Sequence, residues 1–285
     1  MKVQKQRIDV LLVEQGLFET REKAKRAIMA GLIYANEVRL DKPGEKVPED
    51  TELSVKGKVL PYVSRGGLKL EKALQYFEIN VKGKKMIDVG SSTGGFTDCA
   101  LQNGAEMSYA VDVGYNQLAW KLRQDERVVV MERTNFRYLT PADLQKGIPD
   151  FASIDVSFIS LRIILPVLKT LLAPNSDVVA LVKPQFEAGR EQVGKKGIIR
   201  DPSVHEAVLD RIIQFSLGEG YDVRGATFSP ITGGDGNIEF LLHLRTSDES
   251  IDRGEGIQAQ DLKTKEIVTA AHTQLKTATK ASDNE

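Results

Sequence analysis

The sequence predicts a small α+β module over residues 5–62, a doubly wound α/β body over residues 63–246, and a polar tail over residues 247–285 with room for one helix, at IVTAAHTQLKTA. Three features predict it. Short amphipathic helical and β-like pieces crowd the opening segment. From residue 66 helical and strand-like periods alternate, which implies a mostly parallel sheet covered on both faces. Charge also divides along the chain: residues 1–85 carry 18 Lys and Arg against 12 Asp and Glu, residues 86–245 carry 16 against 20, and residues 246–285 carry 5 against 8.

A chain of 285 residues, 41% hydrophobic and 28% charged, can bury a real core without disulfides or a structural metal. Its single cysteine, Cys99, excludes a disulfide framework and a cysteine-rich zinc site. It agrees with a reducing, cytoplasmic setting. His205, His243 and His272 show no metal spacing, so no metal is expected. No apolar run approaches the ~20 residues of a membrane span. The opening MKVQKQRIDVLLVEQG is interrupted by Asp9 and Glu14, so neither a membrane partner nor a signal peptide is expected. A formal net charge of -1 would by itself argue against a nucleic-acid partner. The basic front end reverses that argument for one module.

Ile8, Leu11, Leu12 and Val13 mark a first helix closed by Gly16. Thr20 caps a second, which buries Ala24, Ala27 and Ile28, presents Arg21, Lys25 and Arg26, and runs to Gly31. Short β-like pieces follow: LIYA at 32–35, a turn through Asn36 and Glu37, then Val38, Val47 and Leu53 to Val55. The stretch RIDVLLVEQGLFETREKAKRAIMAGLIYANEVRL resembles the S4 RNA-binding domain. That resemblance implies RNA contacts on the second helix and the loop after it, with Arg7, Arg21, Lys25 and Arg26 as phosphate ligands. VLPYVSRGG at 59–67 reads as a linker running into a helix led by Ser64, with Arg65 as a further RNA candidate.

In the body, Leu70, Ala73, Leu74 and Phe77 share one helical face. Seven strands follow: KMIDVG, SYAVDVG, RVVVME, FASIDVS, SDVVALVKP, DVRGATFS and NIEFLLHLR. Helices are expected at about 115–124, 158–172 and 202–219, besides one after the first strand. In such a sheet ligands bind beyond the carboxyl ends of the strands, where the winding reverses.

The first strand ends in Asp88, Gly90, Ser91, Ser92, Thr93, Gly94, Gly95 and Phe96. Glycines let backbone approach a ligand, and the following helix offers free N–H groups. The spacing G-x-x-x-G-G is not the G-x-G-x-x-G of a dinucleotide site. Asp112, at the end of the second strand, can accept hydrogen bonds from ribose hydroxyls. Such a loop and acid suit S-adenosylmethionine, which has ribose and adenine but no phosphate. Asp155, at the end of the fourth strand, completes the cofactor set.

DVGSSTGGFTD is similar to the first motif of the FtsJ-like ribose 2′-O-methyltransferases. With the S4-like module in front, the chain resembles the TlyA family over about residues 5–245. The resemblance implies a Rossmann-like class I methyltransferase domain with a mostly parallel seven-stranded sheet. It also implies S-adenosylmethionine-dependent methylation of the 2′-hydroxyl of cytidine, with ribosomal RNA or ribosomal subunits as partner. Some members carry a haemolysin name.

FtsJ-like enzymes use a Lys-Asp-Lys-Glu set, which the resemblance places on Lys69, Asp155, Lys183 and Glu239. The chemistry is intelligible in its own right. A ribose hydroxyl is a poor nucleophile and must lose its proton as it attacks a sulfonium methyl. A lysine accepts that proton only where burial and neighbouring cations favour its neutral form. Read from the chain alone, Lys69 lies off its helix's apolar stripe, the pattern of a solvated lysine. Glu239 follows the turn Gly233-Gly234-Asp235-Gly236-Asn237 and could equally be a hairpin-edge charge. Asp155 and Lys183 follow apolar runs, where an unpaired charge is costly. Cys99 reads as core, and so do Phe96 and Phe136, which could also pack against a cofactor. Asp98 has no evident role. An S4-tethered protein whose body binds cofactor without catalysis is the alternative. A membrane-lytic protein is a weaker one, since the sequence shows neither a span nor a strongly amphipathic basic terminal helix.

Overall fold

The computed structural model describes residues 4–29, 31–36, 38–57, 60–194, 197–234, 236–247 and 262–282. Glu37 of the expected turn, Val59 of the linker, Asp235 and the tail segment 248–261 lie outside the described residues. The chain divides into two units, Met1–Pro61 and Tyr62–Glu285.

In the first unit β1 (Lys5–Arg7) leads into α1 (Ile8–Glu14) and α2 (Arg21–Met29), followed by β2 (Ile33–Ala35), β3 (Val38–Leu40), β4 (Lys46–Pro48) and β5 (Leu53–Val55). β2 lies between β3 and β5 in an antiparallel sheet, and β1 pairs with β4. Gly16, at φ +72, ends α1. Its N–H reaches Val13 O at 3.0 Å while Leu17 N reaches Leu12 O at 3.0 Å, the paired bonds of a Schellman motif. Thr20 Oγ1 accepts from Lys23 N at 3.3 Å, as its capping position requires. Ile8, Leu12, Ala24, Ala27, Ile28 and Ile33 form the core.

Asp9 sits fully buried beside that core, and two arginines hold it. Arg7 Nε donates to Oδ1 at 2.9 Å and Arg21 Nη2 to Oδ2 at 2.8 Å. The Arg7 hydrogen bond, opposed by burial and aided by Arg21, lowers the Asp9 carboxyl to about 2.

In the second unit α3 (Gly66–Tyr76) precedes β6 (Lys85–Val89), α4 (Gly95–Gln102), β7 (Met107–Val111), α5 (Trp120–Arg123), β8 (Val128–Met131) and β9 (Phe151–Ile154). Then come α6 (Leu161–Leu171), β10 (Asp177–Val182), α7 (Pro184–Glu187), α8 (Pro202–Gly218), β11 (Tyr221–Phe228), β12 (Phe240–Thr246) and α9 (Thr264–Ser282). The seven strands form one sheet in the order β11-β12-β10-β9-β6-β7-β8. It is parallel except that β12 runs against both its neighbours. Alternate residues face opposite layers. Ile87, Val89, Val178, Ala180 and Val182 pack under α6, α8 and α9, whereas Met86, Ala110, Val179 and Leu181 pack under α3 and α4. Each of the Ile, Val, Leu and Met side chains among them contributes about 1.5–3 kcal/mol when fully buried.

Two expectations change. The helix expected at 115–124 is regular only over Trp120–Arg123, because Asn116 at φ +57 and Ala119 at ψ 138 leave the helical path, while the Glu132 carboxylate takes the backbone N–H groups of Asn116, Gln117 and Leu118. The helix expected from 158 begins at Leu161, since Phe158 has φ +64 and Ser160 Oγ caps Arg162 N. The one helix that the polar tail allowed, at IVTAAHTQLKTA, is present as α9 over Thr264–Ser282, and its Val268, Ala271 and Leu275 join the body's core. His272 on α9 meets His205 on α8 at 2.8 Å, so both are interior side chains.

The Asp9 pairing makes the first unit acid-sensitive. Its carboxyl is held at about 2 against an ordinary 3.8, so its contribution is present above pH ~4 and lost as pH falls towards ~2. Asp9→Asn should cost about 1–3 kcal/mol at neutral pH and flatten that acid dependence. Hydrogen exchange of α1 and α2 amides in the full chain, followed across pH, measures both.

Candidate active site

Strand order reverses between β6 and β9, whose carboxyl ends lie side by side. Gly90 leaves β6 at φ +84, and a Cβ there would meet the Asp155 carbonyl oxygen at 2.5 Å. The loop after β6 can therefore lie against the end of β9 only if position 90 has no side chain. A cavity of about 310 Å³ opens at this place. Gly90, Ser91, Ser92, Thr93, Gly95 and Phe96 line one side. Facing them are Lys69, Asp155, Ser157 and Lys183, with Ile231 to Gly234 and Ser64 to Gly66 completing the rim.

The four residues that the family resemblance named come together here. Lys69 projects from α3 and donates to Glu239 Oε2 at 2.6 Å, with Asp155 Oδ2 at 3.8 Å. Lys183, at the end of β10, lies 2.5 Å from Asp155 Oδ1 and 3.1 Å from Ser157 Oγ. Lys69, Lys183 and Glu239 are each buried, while the Asp155 side chain is 20% exposed towards the cavity. Lys69 is thus not the solvated lysine its helix position suggested, nor Glu239 a hairpin-edge charge. Two cations and two carboxylates balance in an enclosed space, where any one alone would be costly.

The cradle is supported from beneath. Asp88 lies wholly inside the protein, so the carboxylate expected among the cofactor ligands does not line the cavity. It accepts from Thr97 N at 3.1 Å, Thr97 Oγ1 at 2.7 Å and Ser153 Oγ at 2.7 Å, tying β6 to α4 and β9. Burial raises its carboxyl to about 6 despite those donors. Gly94 and Asp112 are not among the residues that line this cavity. Asp112 Oδ2 accepts from Ser92 N at 2.8 Å and Oδ1 from Gly114 N at 2.7 Å, leaving acceptor capacity on a half-buried carboxylate. Asp98, whose role the sequence left open, is structural. It accepts from Val63 N and from Lys121 Nζ, both at 2.8 Å, and so fixes the chain entering α3.

Cys99 is interior, and burial pushes its thiol up to about 12. Phe136 fills core, whereas Phe96 both fills core and lines the cavity. His243 pairs with Asp177 at 3.0 Å on the far end of the sheet. Of the RNA candidates, Arg7 and Arg21 hold Asp9, Lys25 lies 2.8 Å from Glu22, Arg26 is exposed on α2, and Arg65 is exposed at the cavity rim. Sequence reading missed Ser157, two residues beyond Asp155 and in direct reach of Lys183. It also missed the wall at Ile231–Gly234, where Gly233 N donates to Asn237 O at 2.9 Å while the Asn237 side chain ties in a neighbouring loop. Asn237 Oδ1 accepts from Ile199 N at 3.0 Å and its Nδ2 donates to Gly197 O at 2.9 Å. The clue to Ser157 was its period-two register with Asp155.

Comparison with known proteins agrees with this geometry. Residues 62–246 match the FtsJ-like methyltransferase family and residues 6–53 the S4 domain. The Bacillus subtilis protein YqxC, whose name proposes an rRNA methyltransferase, is 71% identical over 97% of each chain. The 16S/23S rRNA (cytidine-2′-O)-methyltransferase TlyA of Mycobacterium tuberculosis is 41% identical over 88% of this chain and 94% of its own. A solved structure from Streptococcus thermophilus that carries a haemolysin name is 56% identical, with a TM-score of 0.75, covering 98% of this chain and 99% of that one.

Because Asp88 binds its proton more tightly folded than unfolded, it favours the fold most below pH ~4 and this contribution is lost as pH rises through ~6. Asp88→Asn should flatten the pH dependence of the body's urea midpoint between those limits. An unchanged slope would assign that dependence to other groups.

Proposed function

Since the chain belongs to the TlyA family, an S4 module followed by an FtsJ-like methyltransferase body, we propose that it methylates the 2′-hydroxyl of cytidine in ribosomal RNA. The observation that carries this reading is the enclosed Lys69–Glu239 and Lys183–Asp155 array beside a glycine cradle. S-adenosylmethionine is the cofactor, and when bound it supplies an electrophilic sulfonium methyl. The residues fit it. The backbone at Gly90 is bare, Phe96 offers an apolar wall, and Asp112 stands behind Ser92 as a ribose acceptor.

Once its ammonium has given up a proton to solvent at the open side of the cavity, Lys183 is the amine placed to hold the incoming 2′-hydroxyl and to take its proton as the oxygen accepts the methyl group. Asp155 and Ser157 fix its direction. Lys69, locked on Glu239, stays in place as a cation that orients the ribose or its phosphate. Holding hydroxyl and methyl in line supplies much of the remaining acceleration.

The first unit docks on RNA through Arg7, Arg21, Lys25 and Arg26, and in the second unit Arg65, exposed at the cavity rim, is a further RNA contact. Arg7 and Arg21 keep donors free beyond those given to Asp9, as the five-donor guanidinium allows. Their hold on Asp9 sets their direction in advance. Such phosphate contacts make binding salt-sensitive. A ribosomal-subunit substrate supports a cytoplasmic location. Among the described residues no helix is long and apolar enough to cross a membrane.

Lys183→Ala should lower methyl transfer to isolated ribosomal subunits by about 10²–10⁴-fold while leaving cofactor affinity nearly intact. Labelled-methyl transfer followed by nucleotide mapping measures the first, and calorimetry the second. Full activity in that variant would overturn the mechanism. Absence of ribose methylation by the wild type would favour a non-catalytic RNA-binding role.

A further inference from the structure

Between Asp112 and Trp120 the chain crosses the rim of the cofactor cradle with no regular structure. It touches the cradle at three points. Asp112 accepts from Ser92 N at 2.8 Å, Ser92 Oγ donates to Gln117 Oε1 at 3.4 Å, and Ala119 N donates to Thr93 O at 3.1 Å. The cradle's outer half is therefore only as well placed as this crossing. Helical hydrogen bonds do not hold it there, and Asn116 sits at φ +57, outside the helical region.

One side chain fills that gap. Glu132, directly after β8, turns its carboxylate onto three successive backbone N–H groups. Oε2 accepts from Asn116 at 2.8 Å, and Oε1 accepts from Gln117 at 2.9 Å and Leu118 at 3.2 Å. Arg123 of α5 adds a guanidinium hydrogen bond to Oε1. Consecutive N–H groups converging in this way form an anion-binding concavity, and here the anion is part of the chain. The Glu132 side chain is only 8% exposed, so the charge-assisted bonds are little weakened by water.

We propose that Glu132 is a positioning residue for the cofactor: it folds residues 114–119 into the shape that presents Asp112, Gln117 and the Ser92–Thr93 backbone to the adenosine end of S-adenosylmethionine. This rests on the methyltransferase reading above. Glu132 takes no part in moving a proton or holding the RNA, and the Lys69–Asp155–Lys183–Glu239 array does not depend on it. The Arg123 hydrogen bond, opposed by burial and aided by the three N–H groups, holds its carboxyl at about 2, so its effect is constant across the physiological range.

Calorimetric binding of S-adenosylhomocysteine to the full chain tests this. Glu132→Gln keeps the shape but turns an NH2 group towards donors, and should weaken binding by about tenfold or more. Its KM for S-adenosylmethionine should rise in step, while kcat at saturating cofactor and KM for ribosomal subunits stay within about threefold of wild type. Gln117→Ala leaves Glu132 and its nest untouched and should weaken binding by a smaller factor without changing thermal stability, so the inference remains testable if Glu132→Gln folds poorly. Cofactor affinity within twofold of wild type in Glu132→Gln, or in Gln117→Ala should the first not fold, overturns the proposal. So does a loss confined to kcat or to the RNA KM. If the wild type itself fails to bind S-adenosylhomocysteine, the methyltransferase reading falls instead.

Discussion

Asp155 stands between two buried ammonium groups, and the body is arranged to make that possible. Its carboxylate lies 2.5 Å from Lys183 and 3.8 Å from Lys69, with Glu239 balancing the second cation. Charges enclosed to this degree persist only as a mutually satisfied set. The set draws on α3 and on the ends of β9, β10 and β12, four elements far apart in the chain. Their meeting point is the strand-order reversal between β6 and β9, where no strand of the sheet occupies the crevice.

Around this array the supporting contacts share one device. Acidic side chains hold backbone in place where regular secondary structure gives out. Asp88 takes Thr97 N–H at the start of α4, Asp98 takes the N–H of Val63 before α3, and Asp112 takes those of Ser92 and Gly114. Glu132 takes three more. The mildly acidic body is therefore not simply a solvated surface. Several of its carboxylates are internal struts, and the first unit repeats the device with Asp9, held by two arginines.

The seven strands of the body were readable because each is a compact apolar run bounded by polar turns, and alternate residues of β6 and β10 do face opposite layers. The Gly16 closure and the Thr20 cap were readable because they are local. The stretch before Trp120 was not. Its composition permits a helix, but Asn116 turns to φ +57, and the shape this gives the segment is held by Glu132, just after a later strand. α9 was open as one helix within the polar tail, but its packing onto the body was not readable. A helix with few apolar side chains is unremarkable until Val268, Ala271 and Leu275 find a core to enter. Lys69 and Glu239 had bland readings that only family resemblance outweighed, because their partners are distant in sequence.

Sequence alone determined the element order, the division of charge between a basic front and an acidic body, and the glycine-rich turn after β6. These follow from periodicity, composition and steric permission, all of which act over a few residues. Tertiary structure decided which charges are chemical and which are structural. It turned Asp88 inward, set Asp98 to work on Val63, enclosed Lys69 with Glu239, and made Glu132 the organiser of the cradle's rim. The reason is dielectric as much as geometric. A carboxylate's role depends on which donors surround it and how much water is excluded, and both are settled only when distant segments pack together.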